Sequence, residues 1–186
     1  MSSIEENNSA SLQGSIILAD PSLREPTFRH SVLLLTEHSE DEGAHGYILN
    51  RPLGKSVGDL LPAEEFESLA DVPVFIGGPV STEHLTFGSI AWSDGLKTLQ
   101  FTSHLSAKQA LRHQIEGFSI RAFVGYSGWG EGQLESELQQ KTWITHKPEK
   151  RVLDLDELDT LWNRLLKEMS PWHALLADEP DDLSLN

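Results

Sequence analysis

The sequence predicts an α+β fold. Short β-rich runs fill the first two thirds of the chain, the clearest helical periodicity comes after them, and the two do not alternate as they would in a doubly wound sheet. The runs at 15–19 and 32–35 are continuously apolar, which is typical of strands buried on both faces. The sheet is therefore expected to be covered by helices or closed on itself.

Seven runs have the composition and the Gly, Pro, Asn or Asp boundaries of strands. They lie at 15–19, 31–36, 46–49, 74–76, 85–92, 98–101 and 120–124. Ser106 is placed to cap a helix that Gly117 ends, and a longer amphipathic helix is predicted over 154–169, before Pro171. Weaker helix candidates lie at 57–61, 63–70 and 133–140.

The chain shows neither a linker nor an internal repeat, so we predict a single domain over residues 13–177. It is flanked by a flexible N-terminal tail at 1–12 and an acidic C-terminal tail at 178–186. The first ten residues lack the basic and apolar parts of a targeting segment, and no apolar run approaches the roughly 20 residues that span a bilayer. A cytoplasmic location is therefore expected.

Composition excludes several classes of function. The 186 residues contain no cysteine, which rules out disulfides, a thiolate nucleophile and cysteine-ligated metals. Fourteen Lys and Arg against 29 Asp and Glu give a net charge of −15. Because Lys and Arg supply most of the affinity for phosphate backbones, direct nucleic-acid binding is disfavoured.

The segment 121–135 combines a strand-like run, a glycine-rich turn and a helix start. Such an order can present backbone N–H groups to an anion. Gly125-x-Ser127-x-Trp129 resembles a nucleophile elbow, but Trp129 replaces the final glycine, and neither the dinucleotide fingerprint nor the phosphate loop is matched. Two interpretations stay open: a binding loop, or glycines that allow close backbone packing.

Two further turns follow strand-like runs. Gly77-Gly78-Pro79 permits close approach of a ligand or of another backbone segment. Arg51, between Asn50 and Pro52, suits either bidentate binding of a carboxylate or phosphate or an internal salt bridge. The histidine-containing stretch 37–45 is interpreted as a solvated acidic hairpin loop in preference to a metal site, and we expect neither metal nor cofactor.

These segments together resemble the YqgE/AlgH family of bacterial proteins. The resemblance rests on GSIILADPSL (14–23), SVLLL (31–35), GYILNRP (46–52), GGPV (77–80), GYSGW (125–129) and GQLESEL (132–138), with Phe28 and Trp143 in addition. It implies an α+β domain whose bent, largely antiparallel or mixed sheet forms a pseudo-barrel flanked by helices. It implies no established reaction, although some members are labelled transcriptional regulators of exopolysaccharide production.

The favoured hypothesis is a ligand- or protein-binding module with an indirect regulatory role. Its partner would be a small anionic ligand or a protein, and its predicted binding residues are Asn50, Arg51, Gly77, Gly78, Pro79, Gly125, Ser127, Gly128, Trp129 and Gln133. The alternative is a small-substrate hydrolase or transferase that uses the turn at 125–133, with Ser127, Glu131 and Glu135 as its nucleophile or acid–base candidates. A DNA-binding role follows only from the family label.

Overall fold

The computed structural model describes residues 10–179. The predicted tails at 1–12 and 178–186 fall mostly outside this range, and the division into tails and domain stays a prediction. Within the range, Ser11 and Leu12 are attached to the body, because the Ser11 hydroxyl donates to the His38 carbonyl and the Leu12 N–H donates to the His38 ring.

The strands form one nine-stranded sheet within the described residues. They are β1 (Ile16–Ala19), β2 (Val32–Ser39), β3 (Gly43–Ile48), β4 (Pro52–Ser56), β5 (Pro73–Ile76), β6 (Val80–Ser93), β7 (Thr98–Leu105), β8 (Ser119–Trp129) and β9 (Trp143–His146). The α-helices are α1 (Val57–Leu60), α2 (Ala107–Ile115), α3 (Gln133–Gln139), α4 (Leu158–Lys167) and α5 (Pro171–Ala177), and short 3-10 turns cover Glu64–Leu69, Lys150–Leu153 and Leu155–Glu157.

The sheet is mixed and curls into a half-barrel that helices flank. Its main path runs β4-β5-β8-β3-β2-β1-β9, and β6 and β7 branch from β8. Only the β5–β8 pair is parallel among the pairings of the described strands. The long strand β8 pairs with β5 and β6 in its first half and with β3 near its end. The predicted α+β class and bent sheet are confirmed.

Strand β1 is buried on both faces, as its continuous apolar run predicts. Ile16 and Leu18 pack into one hydrophobic cluster with helix α4, whereas Ile17 and Ala19 pack into a second cluster with Trp129. All four β1 side chains are fully buried. Because burial of a large apolar side chain contributes roughly 1.5–3 kcal/mol, this short strand is a major source of stability.

Seven predicted strands and the helices at 106–117 and 154–169 are confirmed, with shifted ends. Two predictions at finer scale are wrong, and three elements were missed. Residues 125–129 continue strand β8 and do not form a turn, since the turn begins only at Gly130. The stretch 37–45 belongs mainly to β2 and β3, joined by a tight turn. The edge strands β4 and β9 and the last helix were not predicted.

The arginine Arg121 of β8 ties the C-terminal segment to the sheet. It is fully buried and donates to the carbonyl oxygens of Leu49 and Val152, while its guanidinium lies 4.9 Å from the centre of the Phe75 ring. Burial lowers the pKa of Arg121 to about 10. This side chain therefore serves the internal packing of the fold.

An exposed ion pair holds the segment before α4 to the end of that helix. Arg151 donates both terminal nitrogens to Glu168, at 2.6 Å each, and these hydrogen bonds hold the pKa of Glu168 below its usual range. A carboxyl whose pKa is lowered by folding stabilises the fold above its unfolded pKa of about 4.3 and loses that contribution as the pH falls.

We therefore expect Glu168→Gln to lower the free energy of unfolding by about 0.5–1 kcal/mol at pH 7. The difference from the wild type should shrink as the pH falls from about 5 to 3. Urea unfolding at several pH values measures it. Glu131→Gln is the control, because Glu131 forms no ion pair within residues 10–179. A pH-independent difference would contradict the expectation.

Candidate functional site

The two predicted glycine turns meet, and their backbones contact each other directly. The Gly77 N–H donates to the Val124 carbonyl at 2.9 Å, and the Gly77 carbonyl accepts from the Ile48 N–H at 2.9 Å and from the Ser127 hydroxyl at 3.0 Å. The residues therefore join β3, β5 and β8 where these strands approach one another. We call Gly77, Gly78 and Gly125 the glycine crossing.

The glycine crossing has no space for side chains. A Cβ on Gly77 would overlap the Gly125 carbonyl, one on Gly78 would overlap the Tyr126 backbone, and one on Gly125 would overlap the Gly78 carbonyl. Gly125 also has a φ of +70°, which favours glycine. These contacts agree with the packing interpretation of both glycine motifs. Pro79 is exposed directly after the crossing.

Trp129 and Gln133 belong to a hydrogen-bond network centred on Glu137. One carboxylate oxygen accepts from the indole N–H groups of Trp129 and Trp143 at 2.9 and 2.7 Å, and the other accepts from the Gln133 amide at 2.9 Å. The Gln133 side-chain carbonyl accepts in turn from the Gly130 N–H. The network fixes the turn that connects β8 to α3. Gly128 is exposed on β8, opposite His45.

The residues suggested for catalysis do not form one constellation. Ser127 is fully buried, and its hydroxyl donates to the Gly77 carbonyl. Glu131 is exposed on the following turn. Glu135 accepts from His38 at 2.6 Å, and because His38 Nδ1 accepts from the Leu12 N–H, its Nε2 carries the proton. The described geometry therefore gives no support to the hydrolase or transferase alternative.

Arg51 and Asn50 line a different place, a polar cavity of about 370 Å³ beside the start of β4. The residues that line it come from three parts of the chain: Arg24, Pro26, Arg29 and His30, then Asn50 and Arg51, and finally Asp159 of α4. Three arginines thus line one cavity. The sequence predicted Asn50 and Arg51 as binding residues but assigned no role to Arg24, Arg29, His30 or Asp159.

Hydrogen bonds hold the framework of this arginine cavity. The Asn50 amide accepts from the Val32 N–H and donates to the His30 carbonyl, both at 2.9 Å. Arg51 donates to the carbonyls of Thr27 and Arg29 at 3.2 and 2.8 Å, and its own carbonyl accepts from the Ile76 N–H. The loop before β2 and the end of β5 are therefore fixed around the Arg51 backbone and side chain.

Charges and rings complete the wall of the cavity. Partial burial lowers the pKa of Arg51, while the negative charge of Glu25 opposes that shift. The His30 ring stacks on Trp162, with centres 4.1 Å apart and planes 23° apart. His30 has a φ of +55°, which is rare for a residue with a side chain. The cavity lining therefore combines positively charged side chains with the His30 ring, which is stacked on Trp162 behind it.

One signal in the sequence could have indicated this site. Arg24, Arg29 and Arg51 are three of the four Lys and Arg residues that precede residue 94, in a chain of net charge −15. Such a small set of basic residues within an acidic half of the chain indicates a shared anion-binding role. Their convergence depends on the pairing of β2 with β3, which the sequence does not display.

The curled mixed sheet flanked by helices places this chain among small α+β proteins, and comparison with known proteins identifies its family. A family model described as AlgH-like matches residues 16–174. The chain therefore belongs to the AlgH-like family, which confirms the resemblance stated above. A UPF0301 protein of Mycolicibacterium vanbaalenii is 37% identical over 93% of this chain and 90% of that protein.

Solved structures support the same fold. An X-ray structure of a Corynebacterium diphtheriae protein matches with a TM-score of 0.69 and 19% identity, over 94% of this chain and 95% of that one. The solution structure of the AlgH protein from Pseudomonas aeruginosa matches with a TM-score of 0.61 and 22% identity, over 96% and 100% of the two chains. At these identities the likeness concerns the fold alone.

Within residues 10–179, no three His, Asp or Glu side chains are grouped so that they could hold a metal ion. None of the helices described there combines the length and the apolar character needed to cross a membrane.

Proposed function

We propose that this protein is a binding module for a small anionic ligand, and that the arginine cavity is its binding site. The observation that carries the proposal is the convergence of Arg24, Arg29 and Arg51 on a cavity of about 370 Å³ in a strongly acidic chain. Guanidinium groups bind carboxylates and phosphates through paired N–H donors, so an oxyanion is the ligand chemistry that fits.

The local charge supports an anion in preference to a cation. Three arginines line the cavity against the carboxylate of Asp159 and that of the nearby Glu25, whereas the whole chain carries −15. A volume of about 370 Å³ lies in the lower part of the usual range for small-molecule sites. The ligand we expect is therefore a compact phosphate or carboxylate compound and not a polymer.

The framework supports a preorganised site. Asn50 and Arg51 are held by backbone contacts on both sides of the cavity, so little ordering would accompany binding. In this proposal Asn50 and Arg51 belong to the ligand site. Gly77, Gly78, Gly125 and Ser127 act by packing, because they join β3, β5 and β8. Trp129 and Gln133 fix the turn between β8 and α3, and no ligand role is proposed for the exposed Pro79 and Gly128.

A regulatory role would then be indirect. Binding of the anion would alter contacts with a protein partner in the cytoplasm, without contact between this chain and DNA. The net charge of −15 supports the absence of DNA contact, because a negative electrostatic field repels a nucleic-acid backbone.

The test is ligand-induced stabilisation by inorganic phosphate, pyrophosphate and citrate. At a ligand concentration of 100 times Kd, binding stabilises the fold by about 2.7 kcal/mol, which raises Tm by roughly 5–10 °C for a chain of this size. We expect Arg29→Gln to weaken the best ligand about tenfold or more, because it removes a charge-assisted donor. Differential scanning fluorimetry and calorimetric titration measure both effects.

Arg112→Gln is the matched control, since it makes the same charge change at an exposed position on α2. It should leave binding unchanged. The proposal is contradicted if none of the three anions binds at 10 mM, a concentration chosen to detect roughly millimolar affinity. Equal weakening by both substitutions would also contradict it, because the effect would then be general electrostatics.

A further inference from the structure

A second cavity, of about 300 Å³, lies where the start of β6, the end of β7 and the middle of β8 meet. Its inner wall is aromatic, formed by Tyr47, Phe123 and Tyr126. Its rim is polar, with Ser81, Thr86, His84 and His104. None of these residues lines the arginine cavity, so the two sites are separate.

The aromatic wall is part of a packed ring cluster. The Tyr47 ring centre lies 4.7 Å from that of Phe123 and 5.5 Å from that of Phe101. Phe123 is fully buried, Tyr47 is nearly so, and Tyr126 is half-buried. The half-buried Tyr126 therefore supplies the exposed ring of this wall, backed by the buried rings of Tyr47 and Phe123. Another ring can stack on it or pack edge-on, at centre separations of about 4.5–7 Å.

The rim is built from backbone in an uncommon conformation. Ser81 and His104 have φ values of +52° and +55°, and Gly125, also in the lining, has +70°. Strained residues with side chains persist where the surrounding structure holds them, and they concentrate at ligand sites. Here Gly125 is held by the glycine crossing.

The polar groups of the rim are suited to hydrogen bonding with an uncharged ligand. Thr86 Oγ1 and His104 Nδ1 are 3.2 Å apart, and within residues 10–179 the Nε2 atom of His104 has no hydrogen-bond partner. Among residues 10–179, no Asp or Glu lines this cavity. Burial raises the pKa of Tyr47, so its hydroxyl is neutral. The cavity thus lacks the carboxylate that a cationic ligand would need.

From the aromatic wall, the polar rim and the absence of lining carboxylates we infer that this cavity binds a planar, uncharged heteroaromatic ring. The ring would lie against Tyr126, and its ring nitrogens or exocyclic groups would bond to Thr86 and His104. A volume of about 300 Å³ accommodates one or two fused rings and little more.

The test is protein-observed NMR titration with adenine, indole and nicotinamide. For ligands of about ten heavy atoms we expect a Kd of about 0.1–1 mM for the best of them. Amide shifts should concentrate at Ser81, Thr86, His104 and Gly125. Inorganic phosphate, the probe for the arginine cavity, should not shift these amides, so failure at one site is distinguishable from failure at the other.

Two substitutions in the cavity and one control outside it make the test specific. Thr86→Trp places a large ring in the cavity mouth and should weaken binding at least tenfold. Thr102→Trp is the control, because Thr102 is an exposed β7 residue that does not line the cavity; it should leave binding unchanged. Tyr126→Leu keeps apolar volume but removes the ring, and it should weaken binding several-fold.

The inference is overturned by any of three results. The first is that none of the three ring compounds shifts the lining amides at 5 mM. The second is that the shifts map to other residues. The third is that Thr86→Trp, confirmed as folded by its amide spectrum, binds as tightly as Thr102→Trp.

Discussion

Replacing Gly125 by alanine is expected to cost about 2–5 kcal/mol or more of the free energy of unfolding. The φ of +70° imposes about 1–2 kcal/mol on any residue with a side chain. In addition, the new Cβ would overlap the Gly78 carbonyl and lie 2.9 Å from the Val80 carbonyl oxygen. These two carbonyl oxygens belong to the backbone and cannot move away as a flexible side chain could. The substitution therefore adds an overpacking penalty of about 1–3 kcal/mol or more.

Gly54→Ala separates conformational strain from crowding. Gly54 has a φ of +73°, nearly the value at Gly125, but its Cβ would meet no atom within 4 Å. Gly54→Ala should therefore lower the free energy of unfolding by only about 1–2 kcal/mol. Urea unfolding followed by circular dichroism compares the two variants. If Gly125→Ala and Gly54→Ala lowered the free energy of unfolding equally, the glycine crossing would not be tightly packed.

Glu137→Ala has the second largest expected effect, a loss of about 3–5 kcal/mol. The substitution removes the acceptor for the indole N–H groups of Trp129 and Trp143, which are 6% and 4% exposed. Each buried donor left without a partner costs about 1–3 kcal/mol, and the contact with the Gln133 amide is lost as well. Urea unfolding followed by tryptophan fluorescence measures the loss.

Two controls define the cause. Glu137→Gln retains one side-chain carbonyl oxygen of the same reach, so it should lose less than half as much as the alanine variant. Glu131→Ala removes an exposed carboxylate six residues earlier, and its effect should stay within about 0.5 kcal/mol. If Glu137→Ala were no more costly than Glu131→Ala, the network would not be a stabilising feature.

The sequence predicts the buried centre of this fold better than its edges. The run from Ile16 to Ala19 is apolar at every position because both faces of β1 are covered, and no other structure suits it as well. The edge strand β4 contains Pro52 and Gly54 and is largely exposed, so its sequence carries no such pattern. Edge strands pair through backbone groups, which composition does not report.

The glycine-rich segment shows why a local interpretation failed. Gly125 and Gly128 are turn residues by composition, yet they lie within β8. Glycine within a strand marks close approach of another backbone, and here Gly78 supplies that backbone at Gly125. The partner is 47 residues away in the chain, so the reason for the glycine appears only after the strands are paired.

The candidate site was predicted only in part for a related reason. Arg51 was identified because it follows a buried strand, whereas Arg24 and Arg29 precede β2 in a polar loop without a pattern. They reach Arg51 because β2 and β3 pair antiparallel, which places the start of one beside the end of the other. A cavity formed by three separate segments has no signature within any of them.

The most direct test of the proposed anion site is an NMR titration that observes arginine Nε–Hε groups while pyrophosphate is added. The proposal predicts saturable shifts at Arg24, Arg29 and Arg51, with no shift at Arg112 or Arg164. Shifts confined to the latter two, or none at any arginine at 10 mM pyrophosphate, where roughly millimolar binding is detectable, would contradict it.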